Sequence, residues 1–314
     1  MNIFWVSVIV LLLQTSVDAA DKIRIVLPNV SGEFMTFPLA QKRGFLKEEG
    51  LDAEIIRVTG RVTSTALSNG EVDYSTGMRI EAEITGIPIR VVACYVPAPV
   101  NALVARPDVK SVQELSGKTV GVSAIGGVSH FAAKAIAKHF GLNPDKDFKF
   151  IGVGPVDARF ARLTQGLVDA TMLSPPLDSE AKKKGFNILA RAEDALIFPE
   201  TGLVTAVKKV REKPDEIKRV IRAGIKANRY IRGDRDGTIQ FLIEWLKINR
   251  EVATATYDSV VKVFDEDFNK CEKGLRIVIE ETRKNLKLNR EVPLNDVADL
   301  SIFREAQREE LGIK

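Results

Sequence analysis

Ile23, Ile25 and Leu27 alternate with Lys22 and Arg24 near the start of the chain, and a Pro-Asn-Val-Ser-Gly turn follows. A period of two predicts a strand running into a loop. "MTFPLAQKRGFLKEEG" then carries helical spacing, with Gly44 or Gly50 as its stop. "LDAEIIRVTG" reads as a second strand, "VTSTALSNG" as a helix closed by Gly70, and "VDYSTG" as a third strand. The order β-α-β-α-β is that of a parallel sheet with helical crossovers.

The pattern then repeats. "LSNGEVDY" at 67–74 returns as "LTQGLVDA" at 163–170, and Ser31-Gly32 aligns with Gly126-Gly127 at almost the same offset. "GKTVGV", "KDFKFIGVG" and "LVDATML" are the three strands of the second copy. In each copy a leucine (Leu67, Leu163) is expected to bury the crossover helix on its sheet. A glycine (Gly70, Gly166) should supply the left-handed helix stop that a β-carbon resists. A valine (Val72, Val168) enters the next strand, and an aspartate (Asp73, Asp169) hydrogen-bonds local backbone. These are structural roles.

From about residue 210 the period becomes helical throughout. Ile217, Val220, Ile221, Ile225 and Ile231 mark one helix face, with Pro214 at an early helical position. "TIQFLIEWLKI", "EVATATYDSVVKVF", "KGLRIVIEETRKNL" and "SIFREAQREELG" continue the pattern, so this tail is expected to pack on a lobe. "NALVARPD" (101–108) and "TGLVTAVKK" (201–209) bracket the second copy as two short apolar strands, read as hinge crossings. The fold class is therefore α/β: two Rossmann-like lobes joined by a two-strand hinge, with the helical C-terminal tail on lobe one. The expected division is a signal peptide over 1–19, lobe one over 20–104, lobe two over 105–202, and a return to lobe one over 203–314.

The signal peptide rests on the apolar run Ile3–Leu13, too short for a comfortable membrane span, followed by Val17-Asp18-Ala19 before the cut. Its first residues carry no Lys or Arg, and an uncleaved anchor is the other reading. No Cys follows the run, so a lipoprotein is not expected and the destination is the periplasm. In 314 residues, 45% apolar and 28% charged, a formal charge of +4 is spread without blocks, which argues against a nucleic-acid partner. Two Cys and two His argue against a metal site. Cys94 and Cys271 can pair in an exported chain or remain two thiols.

The pieces "RGFLKEEGLD", "SVQELSGKTVGV" and "VDATMLSPP", in this order, make nearly the whole mature chain similar to the nitrate/sulfonate/taurine-type substrate-binding proteins of ABC importers. The resemblance implies a type II periplasmic-binding fold, a small-molecule solute held in the cleft, an ABC transporter permease as partner, monomeric action, and no cofactor or catalytic residue. The alternatives are an enzyme on the same scaffold or a ligand sensor for a membrane receptor.

Ligands of open α/β sheets bind beyond the C-terminal strand ends. In lobe one that rule selects Ser31, Gly32, Glu33, Phe34, Gly60, Arg61, Gly77, Met78 and Arg79. In lobe two it selects Gly126, Gly127, Ser129 and His130, with Gly154, Ser174 and Pro175. The "SAIGGVSHF" turn reads as an anion site at a helix start or as an ordinary glycine turn. Arg61 and Arg79 read as bidentate partners of a carboxylate, sulfonate or nitrate, or as solvated surface. Glu33 would repel an anion unless it pairs with an Arg or receives an amino group, which admits a zwitterion. His130 lines the cleft or faces solvent, and His139 reads as a favourable helix-end charge.

Overall fold

A computed structural model of the chain describes residues 20–58, 62–195, 198–265 and 268–312. The expected signal peptide, Gly60 and Arg61 lie outside these residues. Among the described residues, ten strands form two five-stranded sheets. They are β1 (Asp21–Leu27), β2 (Leu51–Arg57), β3 (Tyr74–Gly77), β4 (Ile89–Val96), β5 (Ala102–Ala105), β6 (Thr119–Val122), β7 (Lys149–Gly152), β8 (Ala170–Leu173), β9 (Asn187–Arg191) and β10 (Thr201–Ala206). The orders are β2-β1-β3-β10-β4 and β7-β6-β8-β5-β9. The two sheets match strand for strand, so the internal repeat is a repeat of whole lobes.

The crossing strands are built into the sheets. β5 leaves lobe one and inserts antiparallel between β8 and β9. β10 returns and inserts antiparallel between β3 and β4. The true links are residues 97–101 and 192–200. They are tied by the Glu200 amide on the Val96 carbonyl (2.8 Å) and the Ala192 amide on the Asn101 carbonyl (2.8 Å). The expected lobe boundaries after 104 and 202 fall inside β5 and β10, and ladder hydrogen bonding moves them back to the links.

The repeated turn works largely as its residues dictate. Leu67 and Leu163 are buried, and Gly70 and Gly166 take φ of +75° and +71°, where a side chain would be strained. Val72 and Val168 are buried just before their strands, which begin at Tyr74 and Ala170. The aspartates differ from expectation. Asp73 accepts the amide of Arg24 (2.7 Å) and Asp169 the amide of Thr119 (2.9 Å), each on the neighbouring strand. Each thus fixes the register of β3 on β1, or of β8 on β6.

The tail covers lobe one. The amphipathic helix Pro214–Gly233 buries Ile217, Val220, Ile221, Ile225 and Ile231 against a core that includes Phe37, Tyr95 and Phe303. On the opposite face of the sheet, helix Phe268–Asn285 brings Leu275, Val278 and Ile279 onto Val91 and Cys94. Cys94 and Cys271, both buried, are joined by a disulfide. No helix among the described residues is long and apolar enough to cross a membrane.

Candidate functional site

A cavity of about 180 Å³ lies at the seam, walled by the C-terminal strand ends of both lobes. Lobe one presents Asn29, Glu33, Phe34 and Ser75, and lobe two Ser123, Gly127, Val128, Ser129, Arg159 and Ser174. The links supply the floor, Asn101 and Glu200.

Among the described residues, three charged side chains are buried here: Arg159, Glu33 and Glu200. Arg159 is 2% exposed and belongs to helix Val156–Thr164, whose inward face also carries Val156, Phe160 and Leu163. Its Nε donates to the Met172 carbonyl (2.8 Å) and its Nη1 to the Gly154 carbonyl (3.2 Å); neither bond uses Nη2. Burial lowers its pKa to about 10, opposed by the charges of Glu33, Glu200 and Asp157, so the guanidinium stays charged. Glu33 is 1% exposed, and its Oε2 has no hydrogen-bond partner. Burial raises its carboxyl above the usual range, while the nearby Ser174 and Ser31 hydroxyls and Arg159 pull it down. Glu200 Oε2 accepts from Asn101 Nδ2 (2.9 Å). Burial first, and then the charge of Glu33, push Glu200 up to about 8. One guanidinium thus faces two carboxyls that resist ionising together.

The lobe-two turn is a helix start. Helix Val128–His139 begins after Gly127, which has no capping side chain, so the amides of Val128 and Ser129 lack intrahelical acceptors at the cavity wall. The turn is braced from within. Ser129 Oγ accepts the Ser123 amide (2.8 Å), and His130 Nδ1 accepts the Gly126 amide (3.0 Å). Gly126 has φ +78°, and a β-carbon there would lie 2.7 Å from Glu81 Oε2 of lobe one. Glycine at 126 therefore serves lobe-to-lobe contact.

The lobes touch around the cavity. The Gly32 amide donates to the Pro175 carbonyl (3.2 Å). Asn29 Oδ1 accepts the Val156 amide (3.2 Å), capping a lobe-two helix whose own N-cap residue, Pro155, makes no side-chain cap. Arg57 pairs with Asp157 (2.8 Å) and Lys138 with Glu281 (3.2 Å) across the seam. This is a closed arrangement.

A family model described as "NMT1/THI5 like" matches residues 31–236. The chain belongs to the NMT1/THI5-like family. Among curated relatives it is 25% identical to "Putative binding protein YtlA" of Bacillus subtilis (strain 168), over 62% of this chain and 61% of that protein. It is 28% identical to the 4-amino-5-hydroxymethyl-2-methylpyrimidine phosphate synthase THI5 of Saccharomyces cerevisiae, over 42% of this chain and 39% of the enzyme. The chain thus matches less than two thirds of the length of either. Its fold is that of the ligand-binding component of an ABC-type import system from Staphylococcus aureus (TM-score 0.74, 14% identity, 92% of this chain and 99% of that one). It also matches the periplasmic aliphatic sulphonate binding protein SsuA from Escherichia coli (TM-score 0.70, 18% identity, 89% and 92%). The two lobes expected from the repeat, and the periplasmic-binding fold that the resemblance implies, are the fold of these proteins.

Within this NMT1/THI5-like frame, Glu33, Phe34, Gly77, Met78, Arg79, Gly127, Ser129, Gly154 and Ser174 line the cavity. Ser31, Gly32, Gly126, His130 and Pro175 stand behind or beside its wall. Gly32, Gly126 and Pro175 serve lobe contacts there. His130 packs edge-on against Phe150, and burial and the Lys134 charge lower its pKa to about 4. It is a neutral brace in this arrangement. Sequence reading missed Asn101, Arg159 and Glu200. Arg159 left a signal: an arginine at an inward-facing position of an amphipathic helix. Glu200 left a weaker one, directly ahead of a crossing strand that must pass the seam.

Proposed function

We propose that this protein is an exported solute-binding component that captures a small anionic or zwitterionic organic solute between its lobes and hands it to an ABC importer permease. The observation that carries this reading is the cavity between two matched lobes, walled by polar groups whose hydrogen-bonding capacity is not spent within the protein. The unused Nη2 of Arg159 and the amides of Val128 and Ser129 suit an acidic group. The likeness to YtlA and to the S. aureus import component supports a binding role. In this reading residues 1–19 are a cleaved signal peptide, the mature protein is a periplasmic monomer, and Arg79 is part of the cavity wall.

The test is a melting-temperature screen of small anions, sulfonates and amino acids. A solute at one hundred times its dissociation constant should add about 2.7 kcal/mol of stability. A screen without any stabilising solute rejects the reading. The match to the yeast synthase favours a second reading, an enzyme on this scaffold. Steady conversion of the captured solute to a product, measured by mass spectrometry, would select it.

A further inference from the structure

Two buried carboxyls and one buried guanidinium make an unusual lining for a site that takes an acid. Glu33 stands on the turn after β1, Glu200 on the return link, and Arg159 on a lobe-two helix. Arg79 also reaches the wall, Asp157 acts on Arg159 from farther out, and Asn101, Ser31 and Ser174 are the uncharged neighbours. The hydrogen bonds of the trio are incomplete. Glu33 Oε2 is unpartnered although fully enclosed, and the bonds of Arg159 go to carbonyls, leaving neither glutamate in a bidentate pair. A buried carboxylate with one oxygen lacking a donor is costly despite the help of Ser174 and Ser31 at this group, so burial favours its protonated form or a ligand that supplies the missing donor.

We propose that the cleft takes a solute bearing a protonated nitrogen, seated between Glu33 and Glu200, and that its capture expels one proton from this carboxyl pair. Before capture, the charge of Arg159 balances one carboxylate, and the second carboxyl keeps its O–H. An arriving ammonium donates N–H bonds to both glutamates. The remaining carboxylic O–H then breaks, its proton passes to solvent, and the pocket holds two cations against two carboxylates. An acidic group on the same solute would reach the Val128 and Ser129 amides, so the natural ligand class is a small amino acid or aminosulfonate. This rests on the solute-binding reading and narrows it.

The experiment is a melting screen of small metabolites sorted into amine-bearing and amine-free acids, including the matched pairs taurine with ethanesulfonate and β-alanine with propanoate. The expected hits all carry the amine. For the strongest hit, calorimetry at pH 7 in Tris and in phosphate should show about one proton released, from the dependence of the heat on buffer ionisation. Glu200→Gln and Glu33→Gln should each weaken that hit about tenfold or more and abolish the proton release. The buffer comparison uses the unaltered protein, so a variant that misfolds does not rescue the idea. Hits confined to amine-free acids, or capture without proton release, overturn this inference and leave the binding role intact. A screen with no hit in either class removes the binding role and this inference together.

Discussion

Arg159 sits among apolar neighbours because its two carbonyl acceptors and two facing carboxyls replace the water it loses. Arg159→Met keeps the stem but strands the Met172 and Gly154 carbonyls and removes the counter-charge of Glu33 and Glu200. The expected cost in urea denaturation is about 3 kcal/mol, with loss of acid binding. Glu83 shows the opposite situation. It is 5% exposed, both its oxygens lack partners, and burial raises its carboxyl to about 8 despite Arg90 and Arg79. The folded state therefore holds a proton that the unfolded chain releases above its ordinary value of 4.5. Stability should fall as pH rises from about 4.5 to about 8 and level off beyond. Glu83→Gln should remove up to about 5 kcal/mol of that fall, read from denaturation series across the window. His130 works with the other sign. Its depressed pKa means that stability present above about 6.5 is lost as pH falls toward 4, and His130→Asn should flatten that acid limb.

At the scale of elements, the disulfide does what no helix propensity can. It pins helix Phe268–Asn285 to β4 across a sequence separation of 177 residues. In the chain-entropy account, closing a loop of that size removes about 5 kcal/mol of denatured-state freedom. The double variant Cys94→Ser, Cys271→Ser should melt well below the parent in oxidising buffer, and adding reductant should lower only the parent. The equivalent contacts of Asp73 and Asp169 explain why the repeat was visible at all. Each holds the third strand of its lobe beside the first, and a conservative swap to alanine would loosen that register in either half.

The whole molecule is decided at the seam. Asn29 of lobe one caps a helix of lobe two, a contact that exists only when the lobes meet. An N-cap is worth about 1 kcal/mol, so Asn29→Ala should weaken solute capture about fivefold while leaving the fold intact. Small-angle scattering checks the cause: the ligand-free variant should be more extended than the parent, and both should contract with solute. The exposed Arg57–Asp157 pair should matter less, within about 1 kcal/mol, because water and salt screen it. A ligand shifts this balance only by what it gains in the closed form over the open one.

The two lobes, the chain order of the first three strands in each and the helical tail were legible in the chain, because alternation, glycine stops and a repeated turn are local facts that act within a few residues. So were most of the loops around the cavity, since strand ends follow from strands. The side chains that meet inside it were not. Arg159, Glu200 and Asn101 come from a helix, a link and a second link, and only the packing of one lobe on the other removes water from all three at once. Desolvation is a property of that assembled seam, and with it go the raised carboxyls of Glu33 and Glu200 and the cap supplied by Asn29, while the bond between Cys94 and Cys271 is decided by the packing of the tail on the lobe-one sheet.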